Sequence, residues 1–281
     1  MTAAVEGFGK QLRDAMDDRG PLCAGIDPHA GLLEAWGLTD SVAGLEQFAM
    51  SAAEALAPVV AAVKPQSAFF ERFGSRGIAV LERVVETSRE AGALVVLDVK
   101  RGDIGSTAQA YADAYLDPGS PMAVDAITAT PFLGFGSLDP MLATAREHGK
   151  GVFVLALTSN PEAPQFQHAH TAAGGTVAGT VIDQLRGLNG DAAPMGSFGA
   201  VVGATIAETG EDLDVNGPLL VPGIGAQGGT ADDVRRIFGD VLHLVLPSSS
   251  REILGAGPDP AALKAAVGRS LDAFGALRAG R

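Results

Sequence analysis

The sequence predicts an α/β protein built as one TIM (β/α)8 barrel, a single domain spanning residues 1–281. Eight short apolar runs alternate with helix-like stretches along the chain, and runs that are apolar on both faces are typical of parallel strands covered by helices. The length of 281 residues suits one barrel of about 250 residues. No change in composition marks a second domain, although two smaller domains would fit this length and an open, doubly wound sheet is the competing fold.

Each strand is predicted from an apolar run of 3 to 7 residues. The predicted strands are residues 22–26, 59–64, 93–99, 123–128, 151–157, 199–204, 219–221 and 242–246. Amphipathic stretches such as 41–57 and 76–92 supply helices between them. Residues 160–175 and 205–218, rich in Pro, Gly, Asn, Asp or Ala, are predicted to be long loops. Strand–helix units that follow one another without reversal predict a parallel sheet, and eight of them can close it.

Charge and cysteine content exclude several classes of protein. With 33 acidic and 20 basic residues, the formal net charge is -13, which argues against a duplex nucleic-acid binder. Cys23 is the single cysteine, so no internal disulfide can form, and it is interpreted as a packed apolar residue. No apolar run reaches the ~18 residues of a membrane span, and the N-terminus lacks the pattern of a signal peptide. The expectation is a cytoplasmic protein that binds neither nucleic acid nor membrane.

Polar residues follow the predicted strands at the points where five of them end. They are Asp27, Lys64, Asp98, Lys100, Thr158, Ser159 and the segment 248–251. In a barrel the carboxyl ends of all strands meet on one face, where such barrels hold their active sites. We therefore predict an active site at this face, in preference to charges scattered over helix surfaces.

The densest of these clusters is the segment LDVKRGDIGST, residues 97–107. Side chains two positions apart on a strand point the same way, so Asp98 and Lys100 are predicted to face the barrel mouth together. Asp103 lies past the strand, in a turn marked by glycines. A lysine between carboxylates stays charged, which suits a fixed proton donor better than a Schiff-base nucleophile.

This arrangement suits a reaction in which a carboxylate is lost. A substrate carboxylate beside Asp98 would meet like charge, and its departure as carbon dioxide would leave a carbanion beside the Lys100 ammonium. Such a site favours the transition state over the ground state, which is the origin of catalysis. The competing interpretation is a purely structural network of ion pairs at a strand end.

A glycine-rich turn near the C-terminus predicts a phosphate site. The segment LLVPGIGAQGGTADDVRRIF matches GxGxxG at Gly223, Gly225 and Gly228, but the next strand ends in PSSSR and lacks the acid that a dinucleotide site needs. Backbone N–H groups of such a turn, with Gln227 and Arg251, can hold phosphate oxygens. Barrels commonly bind phosphate at the loops after strands seven and eight. A merely flexible loop is the alternative.

Taken together, these motifs resemble orotidine 5'-phosphate decarboxylase, most closely its longer bacterial (type 2) branch. The segment DVKRGDIGSTAQAYA is similar to that branch's DAKRGDIGSTAxAYA, with Val99 as the departure. The segments AGIDPH, VKPQSAFFE, TATPFLG, LALTSNP and PGIGAQGG extend the resemblance along the chain. It implies a TIM barrel without cofactor or metal that converts orotidine 5'-monophosphate (OMP) into uridine 5'-monophosphate (UMP) and carbon dioxide. It also implies a homodimer with active sites shared between subunits.

The resemblance further implies roles for the charged residues at the strand ends. Lys100 resembles the proton donor to C6 of the pyrimidine, and Asp98 resembles the acid beside the departing carboxylate. Lys64 and Asp27 resemble the residues that hold the ribose and order the charge network.

The remaining roles concern the partner subunit, the pyrimidine and the phosphate. The residues that resemble those lent to the neighbouring subunit's site are Asp103, Ile104 and Thr107. Ser159 resembles the serine at the pyrimidine ring, with the adjacent Thr158 as the alternative. The residues that resemble the phosphate grip are Gln227, Gly228 and Arg251.

Two other functions are compatible with the same residues. One is another phosphate-binding barrel, such as a metal-dependent sugar-phosphate decarboxylase, in which an acid near a similar Asp-x-Lys would hold Mg²⁺. The other is a non-catalytic ligand-binding barrel, which would have no need of both Asp98 and Lys100. His168 and His170 are interpreted as part of a solvated loop and not as metal ligands. Arg101 is predicted to form a structural ion pair.

Overall fold

The computed structural model describes residues 5–206, 210–225 and 228–279. Its centre is a closed barrel in which the strands pair in chain order, all in parallel, and the last strand returns to the first. The predicted TIM barrel is therefore confirmed. The strands are β1 (Cys23–Ile26), β2 (Ala62–Pro65), β3 (Leu94–Arg101), β4 (Ala126–Ala129), β5 (Gly151–Leu157), β6 (Phe198–Val202), β7 (Leu219–Val221) and β8 (Val245–Ser249).

Helices surround the barrel and connect its strands. They are α1 (Phe8–Arg19), α2 (Ala30–Ala35), α3 (Val42–Leu56), α4 (Ala68–Glu71), α5 (Ser75–Glu90), α6 (Gly105–Leu116), α7 (Asp139–Glu147), α8 (Pro164–Gln167), α9 (Val177–Asn189), α10 (Ala231–Phe238), α11 (Arg251–Leu254) and α12 (Pro260–Ala279). Short 3-10 helices cover Ala57–Val59, Phe135–Leu138 and Gly239–Leu244. Within the described ranges, none of these helices combines the length and apolar character that a membrane crossing needs.

Several of the outer helices begin at a side chain that accepts a hydrogen bond from the first turn. The Ser41 hydroxyl caps α3, and the Thr176 hydroxyl caps α9. At α10, Thr230 and Asp233 form a reciprocal capping box. Such caps satisfy backbone N–H groups that have no partner inside the helix, so these helices start at positions that the sequence itself specifies.

The first helix closes the amino-terminal end of the barrel. Phe8, Leu12 and Met16 lie on one face of α1 and are fully buried or nearly so, as the four-residue spacing of an amphipathic helix requires. The ring of Phe8 meets Phe153 of β5 edge to face, with centroids 5.9 Å apart. The polar residues predicted for the site lie instead at the opposite end of the barrel.

Several predicted boundaries were wrong, among them the start of the fourth strand, which is Ala126 and not 123. The eighth strand was predicted over 242–246 but is Val245–Ser249, because residues 239–244 form a 3-10 helix whose Leu244 packs into the core. The second strand begins at Ala62 and not at 59, since Ala57–Val59 is also a 3-10 helix. The predicted loop 160–175 contains the short helix α8. In contrast, the described part of 205–218 contains no helix or strand, as predicted.

Candidate active site

The carboxyl ends of the strands surround a cavity of about 660 Å³. The predicted site residues that line it are Asp27, Lys64, Asp98, Lys100, Thr158, Ser159 and Arg251. Because parallel strands deliver their C-terminal residues to one face of a barrel, side chains from β1, β2, β3, β5 and β8 meet there although they are far apart in the sequence. The cavity is the size of a typical small-molecule site.

The centre of the cavity is a buried carboxylate held between two lysines. Asp98 Oδ2 accepts a hydrogen bond from Lys64 Nζ at 2.9 Å, and Asp98 Oδ1 accepts one from Lys100 Nζ at 2.6 Å. The side chains of Lys64 and Asp98 are 7% and 10% exposed, whereas that of Lys100 is 47% exposed. The Lys100 ammonium is therefore held by Asp98 and is still open toward the cavity, where a substrate can reach it.

The charges of this network hold both buried partners in their ionised forms. Burial alone would raise the pKa of the Asp98 carboxyl, but the two neighbouring ammonium groups outweigh it and hold that pKa well below its usual range. Burial alone would lower the pKa of Lys64, but the carboxylates of Asp98 and Asp27 outweigh it and raise that pKa above its usual range. At neutral pH this part of the site is thus a fixed pattern of charge.

Asp27 contributes an unsatisfied acceptor to the cavity. It follows β1 and lines the space beside Lys64, and its Oδ1 is buried without a hydrogen-bond partner among the described residues. Buried polar atoms are nearly always hydrogen-bonded, so this oxygen is a candidate acceptor for a hydroxyl group of a ligand. The hydroxyl oxygen of Ser250, at the end of β8, is likewise buried and unpartnered in the described part of the chain.

Asp103, Ile104 and Thr107 do not line this cavity in the single chain. Asp103 Oδ1 accepts a hydrogen bond from the backbone N–H of Ile104 at 2.8 Å, and Thr107 is exposed in the first turn of α6. The Ile104 side chain is 61% exposed. Segment 97–107 is therefore divided in space. Asp98 and Lys100 line the cavity, whereas the residues after them do not.

Thr158 and Ser159, the two candidates for the pyrimidine contact, both line the cavity but differ in their hydrogen bonds. The hydroxyl of Thr158 accepts a hydrogen bond from Gln167 Nε2 at 2.7 Å, and its backbone N–H donates to Gln167 Oε1 at 2.8 Å. Asn160 Oδ1 also lies 2.7 Å from the Thr158 hydroxyl. Thr158 is thus held by α8, the helix that sequence reasoning missed, whereas Ser159 lines the cavity without a hydrogen bond to any described residue.

The predicted phosphate end of the cavity is partly described. Gln227 lies outside the described residues. Gly223 and Gly228 have φ angles of 98° and 88°, a left-handed conformation that glycine adopts without steric cost, and Gly223 lines the cavity. Arg251 begins α11 and lines the cavity; within the described ranges no carboxylate forms an ion pair with it. Its guanidinium is thus available to an anionic ligand.

Arg101 forms the predicted structural ion pair. Its guanidinium lies 2.6 Å from Glu71 of α4 and 5.6 Å from the ring centroid of Tyr111 on α6. It faces away from the cavity and ties the end of β3 to two helices. Arg101 therefore supports the segment that carries Lys100 without taking part in the site itself.

The described residues contain no group of three or more His, Cys, Asp or Glu side chains suited to a metal ion. Near His168, the backbone of His170 forms an isolated bridge with Thr176 inside the loop before α9. Cys23 is buried in the core, and burial raises the pKa of its thiol to about 12. It packs as the apolar residue that its sequence context predicts.

Sequence reasoning missed Thr128, Gln66 and His29, which also line the cavity. Thr128 Oγ1 donates to Asp98 Oδ1 at 2.8 Å, and Gln66 Nε2 donates to the Asp98 carbonyl at 3.4 Å. All three lie within or just beyond a strand that was recognised. Their position at the carboxyl ends of β1, β2 and β4 is the feature that would have indicated them.

Comparison with known proteins agrees with this geometry. Residues 20–266 match the model of the orotidine 5'-phosphate decarboxylase / HUMPS family. The chain belongs to this family. A Nocardioides orotidine 5'-phosphate decarboxylase is 70% identical over 250 residues, covering 88% of this chain and 91% of that protein. The Salinispora arenicola enzyme of the same name is 62% identical over 268 residues, covering 95% and 96%.

Solved structures of the orotidine 5'-phosphate decarboxylase family have the same fold as the chain. A crystal structure from Streptomyces avermitilis, provisionally named as this decarboxylase, superposes with a TM-score of 0.97 at 56% sequence identity and covers 99% of this chain and 98% of its own. The family resemblance that the sequence motifs indicated is therefore confirmed over nearly the whole chain.

The buried charge network should make the stability of this family member depend on pH. Asp98 has a depressed pKa, so its contribution is complete above about 3.9, the pKa of an unfolded aspartate, and is lost as pH falls below it. Lys64 has a raised pKa, so its contribution is complete below about 10.4 and is lost as pH rises through the higher folded value. Between these limits the network should stabilise the fold fully.

We expect Asp98→Asn to lower the free energy of unfolding near neutral pH by about 3–5 kcal/mol, because it leaves Lys64 buried without its carboxylate. The difference from wild type should shrink below about pH 4, by up to about 1.4 kcal/mol per pH unit. Urea denaturation across this range measures it. Asp14→Asn, which removes an exposed partner of Lys10, is the matched control and should cost less than about 1 kcal/mol. A difference for Asp98→Asn that stays constant as pH falls would contradict the linkage.

Proposed function

We propose that the chain decarboxylates OMP to UMP and carbon dioxide, the last step of de novo UMP synthesis, without a cofactor or metal. The observation that carries this proposal is the Lys64–Asp98–Lys100 network, in which two ammonium groups share one buried carboxylate at the open end of the barrel. The family and the names of its close relatives agree with this chemistry. We further propose a cytoplasmic location, which suits a chain with one buried cysteine.

The reaction would use the fixed charges of the network in two ways. The carboxylate of OMP would lie beside Asp98, where like charge destabilises the bound ground state. When the carbon–carbon bond breaks, its electron pair stays on C6 of the pyrimidine and carbon dioxide leaves. The Lys100 ammonium then gives its proton to C6, leaving a neutral amine that must regain a proton before the next turnover. Because the charges are already in place, little reorganisation opposes the transition state.

The remaining lining residues would orient the nucleotide. The unpartnered Oδ1 of Asp27 and the Lys64 ammonium supply an acceptor and a donor for ribose hydroxyl groups. Ser159 supplies a hydroxyl for the pyrimidine edge, since Thr158 is held by α8. Gln227, the backbone N–H of Gly228 and the Arg251 guanidinium would bind the phosphate, a charge-assisted contact that fixes the orientation of the whole ligand.

We also propose that the working form is a homodimer in which Asp103, Ile104 and Thr107 complete the partner's site. Ile104, Phe132 and Leu133 are 61%, 70% and 54% exposed. The segments that carry them are joined where they leave β3 and β4, since the Thr130 backbone N–H donates to the Arg101 carbonyl at 2.9 Å. Grouped exposed apolar side chains of this kind mark interaction surfaces.

Lys100→Ala should abolish carbon dioxide release from OMP, with a loss of at least about 10²- to 10⁴-fold in kcat as expected for a missing proton donor, while UMP still binds. Release of labelled carbon dioxide and calorimetric titration with UMP measure the two quantities. Lys10→Ala is the matched control, because Lys10 is similarly exposed and ion-paired but lies far from the cavity. The wild-type protein should also keep its full activity in EDTA. Near wild-type turnover in Lys100→Ala, or loss of activity with chelator, would refute the assignment.

Arg251→Ala should weaken UMP binding by about 2–4 kcal/mol, or about 30- to 1000-fold, because it removes charge-assisted hydrogen bonds to phosphate. Binding of uridine, which has no phosphate, should change little. Titration calorimetry with both ligands makes the comparison, and Arg83→Ala on the outer surface of α5 serves as the control. Equal losses for UMP and uridine would mean that Arg251 does not bind the phosphate.

Mixing two inactive variants tests whether the sites are shared. Lys100→Ala and Asp103→Ala should each be inactive alone. A mixed dimer would contain one site with both changes and one with neither. After subunit exchange, a one-to-one mixture should therefore recover about a quarter of wild-type turnover. Mass spectrometry would verify that mixed dimers form, and their formation without any recovery would show that Asp103 acts within its own subunit.

A further inference from the structure

Strand β3 is irregular at the position of its catalytic lysine. Leu97 of β3 pairs with Ile127 of β4, and Arg101 pairs with Ala129. Residues 98, 99 and 100 therefore stand opposite Thr128 alone, which makes this a bulge in the parallel pair. Extra residues in a bulge lose their ladder hydrogen bonds and bend the strand.

Lys100 has an unusual backbone conformation in this bulge. Its φ angle is 46°, in the left-handed region that residues other than glycine seldom adopt. A non-glycine residue keeps such a conformation only when its surroundings hold it there. The backbone N–H of Lys100 donates to a side chain of the neighbouring strand, Thr128 Oγ1, at 2.9 Å.

The hydroxyl of Thr128 makes two hydrogen bonds that close a ring. It accepts from the backbone N–H of Lys100 and donates to Asp98 Oδ1 at 2.8 Å. The same Oδ1 accepts from the ammonium of Lys100 at 2.6 Å. The main chain of Lys100 is thus connected to its ammonium through Thr128 and the Asp98 carboxylate. Thr128 itself is 1% exposed.

We propose that Thr128 is a positioning residue for the decarboxylation, because it fixes the left-handed backbone of Lys100 and the carboxylate that aims its ammonium. The inference rests on the proposed function for its catalytic consequence, but its geometric part stands alone. Valine has the shape of threonine without the hydroxyl, so Thr128→Val leaves the Lys100 N–H and Asp98 Oδ1 each short of a partner. Serine retains the hydroxyl and should keep the ring.

The kinetic test compares Thr128→Val, Thr128→Ser and a control. Thr128→Val should lower kcat by about tenfold to a hundredfold, as misplacement of a catalytic group does, while UMP affinity stays within about threefold of wild type. Thr128→Ser should restore most of the loss. The control Thr144→Val removes another buried threonine hydroxyl, which donates to the Pro140 carbonyl and accepts from Gln109 Nε2. Thr144 does not line the cavity, so this change should leave kcat unchanged.

Hydrogen exchange of the Lys100 amide provides a measurement that does not depend on activity. NMR should find this amide protected in wild type and Thr128→Ser, and exchanging at least about tenfold faster in Thr128→Val. If the wild type fails to decarboxylate OMP, the proposed function falls and exchange alone decides whether Thr128 holds Lys100. Unchanged exchange and unchanged kcat in Thr128→Val would overturn the inference. Equal losses of kcat and UMP affinity would show direct substrate contact and would overturn it as well.

Discussion

The interaction on which the rest of the site depends is the sharing of the Asp98 carboxylate by two lysines. An ion buried in a protein is costly unless opposite charges and hydrogen bonds compensate it. Here Lys64 from β2 and Thr128 from β4 supply that compensation from either side, while Lys100 supplies it from the cavity. The three adjacent strands β2, β3 and β4 must therefore keep their register for the carboxylate to remain ionised. The electrostatics of the site thus depend directly on the pairing order of the barrel.

The site has a net charge opposite in sign to that of the whole protein. The chain has a formal net charge of -13, yet Lys64, Lys100 and Arg251 against Asp27 and Asp98 leave the ionised side chains of the cavity with one net positive charge. A phosphorylated carboxylate is repelled by the surface as a whole and attracted only at the barrel mouth. Local charge in a low-dielectric cleft acts more strongly than distant surface charge, which is screened by salt. The acidic surface therefore disfavours binding of an anionic substrate elsewhere, whereas the net positive cavity favours binding at the site.

The sequence was sufficient for the barrel and for the acidic and basic side chains that line the cavity, because both follow from local patterns. Strand ends are marked by the change from apolar to polar residues, and barrel topology brings those ends together. What it did not reveal depends on contacts between distant segments. The left-handed Lys100 results from a mismatch of register between β3 and β4, and the displaced β8 results from packing of Leu244. The role of Gln167 depends on a four-residue helix that no periodicity can indicate.

The same bulge explains why the segment after Lys100 leaves the cavity. Gly102 runs so close to β4 that an added Cβ would lie 2.4 Å from the Thr130 carbonyl oxygen, so no other residue could follow this path unaltered. Between Gly102 and β4 the chain does not line the cavity, and Ile104 is 61% exposed. In the proposed dimer, Asp103 would act on the substrate of the neighbouring subunit. Dimer formation and catalysis would then be coupled through one turn, because any change that straightens β3 displaces the lysine and the interface together.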